Sequence, residues 1–415
     1  MIRAMTRSGS YLECVRQFGP NARWYLLFSM LSGFALGFMR LLFNLYVLSI
    51  GHDSGTLGLL VALPPIVITV TAIPMGMLGQ RIGFRAALIS GVLLMASSMA
   101  GISLSTALVG LILFSLLRGL SRTMLQVSSA PFMAENSGVE ERTHLFSLQF
   151  ASRMFANFGG LLLAGVLPGI LSRVLDIGAE SPAAYRGALL VGAGIYVLSV
   201  LPLLRTRRPA PSECPPERLR LREMIHPPGL LLKLFLPQVV IGLGAGALVP
   251  FLNVFFKTTY GVSDATLGGL FAAQSILMGF AMLAAPLIAQ RLGQVRAVVS
   301  VQLTSIPFLA LLGYTSSLAL SAVGFMCRAA LMNMANPLYT AFAMERVRES
   351  QRGTASALMQ MSWQGTRAVS AIGSGYIQEA SGFAALFPIT IVCYGLASLL
   401  IYAFFVRSSA AQPRS

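Results

Sequence analysis

Long apolar runs separated by short polar breaks dominate this chain. A helix needs about 20 mostly apolar residues to cross the hydrocarbon core of a bilayer. Twelve runs meet that length within a few residues: 24–49, 56–79, 86–104, 106–134, 144–171, 185–204, 231–257, 264–289, 296–314, 317–344, 354–377 and 384–406. The short alternating segments of a membrane β-barrel are absent from the pattern. The breaks themselves recur. Gly76-Met-Leu-Gly-Gln80-Arg81-Ile-Gly83-Phe-Arg85 lies between the second and third runs, and Pro286-Leu-Ile-Ala-Gln290-Arg291-Leu-Gly293 returns 210 residues later. The same offset relates Thr56-Leu-Gly58 to Thr266-Leu-Gly268, Arg118 to Arg328, Glu135 to Glu345 and Arg142 to Arg352. Six runs separate the copies, so both copies keep one orientation. The sequence therefore predicts an all-α membrane protein of twelve transmembrane helices, in two six-helix bundles related by a parallel repeat.

Composition agrees with this pattern. Of 415 residues, 55% are hydrophobic and 11% charged, with a mean hydropathy of +0.74. Soluble domains carry about 25% charged residues, so too few are present to coat a water-facing surface. The chain divides into a basic N-terminus at 1–23, a first bundle at 24–204, a Pro-rich charged linker at 205–230, a second bundle at 231–406 and a tail at 407–415. A net charge of +16 would suit nucleic acid, but the arginines lie in short loops between apolar runs. There they report topology, and no nucleic-acid partner is expected. The N-terminus, the linker, the tail and the loops bearing Arg81, Arg85, Arg142, Arg291, Arg296, Arg346, Arg348 and Arg352 fall on one side; Arg173, Arg186 and Lys257 fall on the other. Both termini are thus expected in the cytoplasm, with no cleaved signal peptide, in a multi-pass protein of the cell (inner) membrane. Cys14, Cys214, Cys327 and Cys393 have no metal-site or disulfide spacing, and no cofactor or metal is expected.

Across essentially the whole length, these residues resemble the major facilitator superfamily of secondary transporters. The resemblance rests on Gly76, Leu78, Arg81 and Gly83, with Phe84-Arg85 closing the motif, and on Pro131-Phe-Met-Ala-Glu135 through Glu141-Arg142. It implies a central cavity lined by the first, fourth, seventh and tenth helices. Gln80 and Gln290 stand where the family carries an Asp that helps lock its cytoplasmic gate. The resemblance implies a gate built from Gln80, Arg81, Gly83 and Glu135 in one copy and Gln290, Arg291, Gly293 and Glu345 in the other. Arg81 is expected to pair with Glu135, and Arg291 with Glu345. The fifth run, Asn157-Phe-Gly-Gly160 to Gly165-Val-Leu-Pro-Gly169, lacks the glycine–proline run of drug/proton antiporters.

Of the 30 basic residues, six fall well inside the apolar runs: Arg40, Arg118, Arg122, Arg153, Arg328 and Arg367. No Asp or Glu lies at comparable depth. A central Arg costs about 2.5–3.5 kcal/mol on insertion scales, so it must face water, a partner or a ligand. A guanidinium fork binds carboxylate or phosphate in bidentate fashion. The polar residues recur at helical spacing: Arg118, Arg122, Gln126 and Ser129 on the fourth run; Gln360, Gln364, Arg367, Ser370 and Ser374 on the eleventh. Asn44, Asn253 and Asn336 extend the stripes. The expected substrate-binding set is Arg40, Asn44, Arg118, Arg122, Arg153, Asn253, Arg328, Asn336, Gln364 and Arg367. The structural alternative is that polar side chains simply glue membrane helices together. Arg118 in particular resembles a family Arg that bonds helix backbone.

These features lead to an expected function: secondary active or facilitative transport by alternating access, of a small organic anion. The alternatives are efflux of amphipathic drug-like compounds and, from another class, a non-transporting membrane sensor. No nucleophile motif, His/Cys/carboxylate cluster or phosphate-cradling loop suggests an enzyme. The expected partners are the lipid bilayer, a small-molecule substrate and a coupling proton or counter-anion, and the expected state is a monomer.

Overall fold

The computed structural model describes residues 19–137, 139–178, 180–206, 228–347 and 352–407. The basic stretch to residue 18, most of the linker with Arg207, Arg208, Arg218, Arg220 and Arg222, and Arg348, Arg414, Cys14 and Cys214 lie outside them. Regular structure among the described residues is entirely helical. The first half holds α1 (Pro20–Ser49), α2 (Ser54–Ile82), α3 (Phe84–Leu104), α4 (Leu108–Glu135), α5 (Val139–Leu175) and α6 (Pro182–Leu198, continued by Val200–Leu204). The second holds α7 (Pro228–Leu248, resumed at Leu252–Tyr260), α8 (Asp264–Leu292), α9 (Gln294–Tyr314), α10 (Leu318–Arg346), α11 (Arg352–Ser381) and α12 (Leu386–Ile401, continued by Tyr402–Arg407). Among the described residues, eleven helices are long and apolar enough to cross a membrane. The exception, α11, has 30 residues but carries Gln360, Gln364, Arg367, Ser370, Ser374 and Gln378. Its polar stripe lowers its hydropathy, and its length still spans.

The duplication reaches the backbone. Asp53 Oδ1 accepts from the Thr56 N–H at 2.6 Å to start α2, and Ser263 Oγ accepts from the Thr266 N–H at 3.2 Å to start α8. Each cap satisfies one of the orphan donors of a helix N-terminus. The Thr56 N–H also holds the exposed Asp53 carboxyl below the usual carboxylate range, because that bond favours the charged form. Between α2 and α3 the chain turns at Gly83 (φ 85°, ψ 140°), and between α8 and α9 it turns at Gly293 (φ 79°, ψ 155°). This region of backbone space is open to glycine and costly for other residues. Both pairs of positions keep the 210-residue offset.

Two compact units emerge. Among the described residues, one joins those up to Phe43 with Val70 to Thr206; the other joins Asn44–Thr69 with those from Pro228 onward. The end of α1 and the first half of α2 thus group with α7–α12. Two contacts explain this grouping. Asn44 Nδ2 donates to Asn253 Oδ1 at 2.8 Å and to the Pro250 carbonyl at 2.7 Å. A Cβ on Gly375 would fall 2.4 Å from the Ser54 carbonyl oxygen, and one on Gly58 would fall 2.7 Å from that of Ala371.

Within each unit, helix packing repeats. In the first, α3 packs on α4 and α6; in the second, α9 packs on α10 and α12. Lipid is as apolar as leucine, so helices associate through close packing and hydrogen bonds rather than the hydrophobic effect. The glycines show this. A Cβ on Gly37 would lie 2.7 Å from the Gly160 carbonyl carbon, and one on Gly160 only 2.0 Å from the Phe34 oxygen. The α1–α5 crossing therefore touches backbone to backbone. In the second unit Gly246 makes the matching approach to Arg367 on α11, and Gly324 brings α10 onto Phe308 of α9. Larger side chains fill the space between: Tyr339 donates to the Leu234 carbonyl at 2.6 Å, and the Arg346 guanidinium lies over Phe342 and Phe405.

Candidate functional site: an arginine cluster on α4 and α5

Four of the six membrane arginines belong to the first unit. Arg118 and Arg122 are one helical turn apart on α4 and so share a face. Arg153 projects from α5 where Gly33 of α1 leaves room; a Cβ at Gly33 would lie 2.8 Å from Arg153 Cγ. Arg122 lies within electrostatic range of both Arg118 and Arg153, and all three guanidiniums act on the Tyr196 hydroxyl of α6. Arg118 is half-buried, its Cζ 4.2 Å from the centroid of the Phe43 ring. Arg122 and Arg153 are exposed. Neither has an ion-pair or hydrogen-bond partner among the described residues. An Arg at the centre of a membrane span costs about 2.5–3.5 kcal/mol against lipid on insertion scales, which favours a water-facing position for both. Around them lie neutral hydroxyls and amides. Tyr25 bonds Ser129 and lies within range of Arg153, Gln149 Nε2 donates to Ser29 Oγ at 2.9 Å, and Asn157 Nδ2 donates to the Gly33 carbonyl. The cluster can attract and fork an anion. Arg40, on α1, is also exposed.

The second unit treats its arginines differently. Arg328 is 3% exposed and donates from Nη1 to the Tyr394 hydroxyl at 3.3 Å, while its Nε has no partner among the described residues. Arg367 is half-buried, its guanidinium 5.5 Å from the centre of the Trp363 ring. Gln364 is 7% exposed, and Asn336 is exposed on α10. Asn44 and Asn253 are buried against each other, and Asn44 also takes the carbonyl freed where α7 breaks at Pro250. Their amides serve a helix break and each other rather than an open surface. The structure thus gathers Arg118, Arg122 and Arg153 into one place and sets Asn44, Asn253 and Arg328 into packed positions.

The candidate gate residues occupy matching places in the two halves. Gln80 and Arg81 end α2, Gln290 and Arg291 end α8, and all four are exposed beside Gly83 and Gly293. The expected ion pairs do not form: Arg81 is not bonded to Glu135, nor Arg291 to Glu345. Glu345 instead accepts from Gln294 Nε2 at 2.7 Å. A neutral amide one residue past the hinge can approach that carboxylate directly. Arg85, at the end of the motif, caps α6 by donating to the carbonyls of Leu203 and Leu204. It balances the negative end of that helix dipole.

Sequence reasoning did not find Tyr196, Tyr394 or Phe43. A tyrosine inside an apolar run looks like core. The available signal was the rule that a membrane arginine needs an oxygen or a ring nearby, and each of Arg118 and Arg328 finds a tyrosine on the last helix of its own half.

The Major Facilitator Superfamily profile matches residues 25–371 and 234–415 of the chain. No curated protein matches it significantly in sequence. Among solved structures it resembles the nucleoside transporter NupG, with a TM-score of 0.74 and 12% identity over 95% of this chain and 100% of that one. It also resembles a D-xylose–proton symporter (TM-score 0.72, 16% identity, 95% and 98% covered). A bacterial homologue of the human lysosomal transporter Spinster, in an inward-facing occupied conformation, gives a TM-score of 0.71 at 16% identity, covering 94% of each chain. At such identities the likeness establishes the fold alone. Together with a profile match spanning both halves, it leads to one conclusion: this chain belongs to the Major Facilitator Superfamily, as a multi-pass membrane transporter.

Proposed function

We propose that the protein moves a small organic anion across the membrane by alternating access, with Arg122 and Arg153 as its principal anion-binding groups and Arg118 as their electrostatic support. The observation that carries this reading is the cluster of three mid-span guanidiniums, two of them exposed and without protein partners among the described residues. Like charges held this close repel one another. An entering anion relieves that repulsion and gains charge-assisted hydrogen bonds. Arg40, Arg367, Gln364 and Asn336 remain candidates for further contacts, and the two glycine-hinged turns remain the candidate cytoplasmic gate. The proposed setting is a monomer in the inner membrane with both termini cytoplasmic.

The test is uptake into proteoliposomes containing the full-length protein, with a panel of labelled organic anions, cations and neutral solutes that includes a nucleoside and D-xylose. Anion uptake is expected, falling at least about tenfold in Arg122→Ala and Arg153→Ala, as loss of one charge-assisted contact predicts. If anion flux survives both changes, or if only cations or neutral solutes move, the proposal is wrong. A neutral or amphipathic cargo would then make the arginines structural.

A further inference from the structure

Within the α4–α5 cluster, the number of exposed guanidiniums bears on the charge of the cargo; this inference rests on the anion reading above. Arg122 and Arg153 come from different helices, both lie open, and they repel one another. Among the described residues, the groups recorded as acting with Arg122 or Arg153 are Arg118, Tyr25 and Tyr196, and none of them is a carboxylate. The full sequence places no Asp or Glu in the interior of α1, α2, α3, α4, α5 or α6. Arg118 is already stacked on Phe43, which provides a ring face but no negative charge.

A monoanion entering this site would answer one exposed guanidinium and leave the other without an anionic partner. A solute with two negative charges answers both. From the two exposed arginines and their neutral surroundings we infer that the protein selects dianions, meaning dicarboxylates or phosphate monoesters, over their singly charged counterparts. Each guanidinium then forks one anionic group, or both grip the oxygens of one phosphate. The hydroxyls of Tyr25, Ser129 and Tyr196 lie around the cluster without adding a charge of their own.

The experiment is isothermal titration of the purified full-length protein in detergent with matched pairs: succinate against succinamate, and phenyl phosphate against methyl phenyl phosphate. The pairs separate the two sources of the dianion. In the parent protein at least one dianion is expected to bind about tenfold or more tightly than its monoanionic partner, the scale of one charge-assisted contact. That ratio is expected to fall close to one in both Arg122→Gln and Arg153→Gln, and to be partly kept in Arg122→Lys, which retains the charge but loses the fork. Equal affinity for both members of each pair in the parent overturns the inference while leaving anion transport intact. A ratio that persists in both Gln variants overturns the assignment to these residues. If neither anion of either pair binds while a neutral or cationic solute is transported, the underlying anion reading falls with it.

Discussion

At the residue scale, the membrane arginines differ in what surrounds them. Arg328 is packed at 3% exposure and donates to the Tyr394 hydroxyl, whereas Arg122 and Arg153 are open. Removing one partner of a buried charge leaves that charge stranded, whereas replacing the charge with an apolar group of similar size can be neutral or better. Tyr394→Phe should therefore destabilise the protein by about 1–3 kcal/mol. Arg328→Met should be milder, and the double variant should recover much of the loss. Thermal unfolding in detergent checks the order; a Tyr394→Phe protein as stable as the parent would show that the hydroxyl does not matter to Arg328. Which arginine is packed and which is open could not be read from the chain. Arg118 and Arg328 share the repeat offset, so their sequence context looks the same. Their surroundings differ because burial depends on neighbours supplied by other helices.

At the element scale, close approach rather than apolar area decides which helices meet. Gly37, Gly160, Gly246 and Gly324 each face a neighbouring backbone at distances no Cβ tolerates. Gly269 on α8 faces open space. In a helix, alanine is intrinsically better than glycine by about 1 kcal/mol, so the two sites should respond in opposite senses. Gly269→Ala should be neutral or slightly stabilising. Gly160→Ala should destabilise by about 1–3 kcal/mol through overpacking, with lower yield of monodisperse protein. Size-exclusion profiles and melting in detergent distinguish the two. Helix positions themselves were legible within a few residues, because the length of an apolar run is set by the bilayer. The break in α7 at Val249–Phe251 was visible as Pro250 but not as a place where Asn44 would bond a freed carbonyl. That contact joins residues 206 positions apart, and no periodicity encodes it.

At the scale of the whole molecule, the proposed orientation rests on charge. The α2–α3 and α8–α9 junctions carry Arg81, Arg85, Arg291 and Arg296, while the starts of α2 and α8 carry Asp53 and Asp264, the latter paired with Lys257 at 2.5 Å. In a variant whose native cysteines are replaced, a cysteine at Ser137 should react with an impermeant maleimide only in inside-out vesicles. A cysteine at Asp53 should react only in right-side-out ones. The reverse pattern would invert the proposed topology. The sequence by itself determined the twelve helices, their duplication and the presence of buried positive charge. Apolar length, loop charge and a fixed 210-residue offset are properties of the chain taken one stretch at a time. Only the tertiary structure decided that Asn44–Thr69 packs with the later helices, that Glu345 bonds Gln294 rather than Arg291, and that Arg118, Arg122 and Arg153 share one cluster. Those outcomes depend on how closely separate helices approach, which the small residues at their crossings fix through sterics. Such sterics act between segments far apart in sequence, where no local pattern can reach.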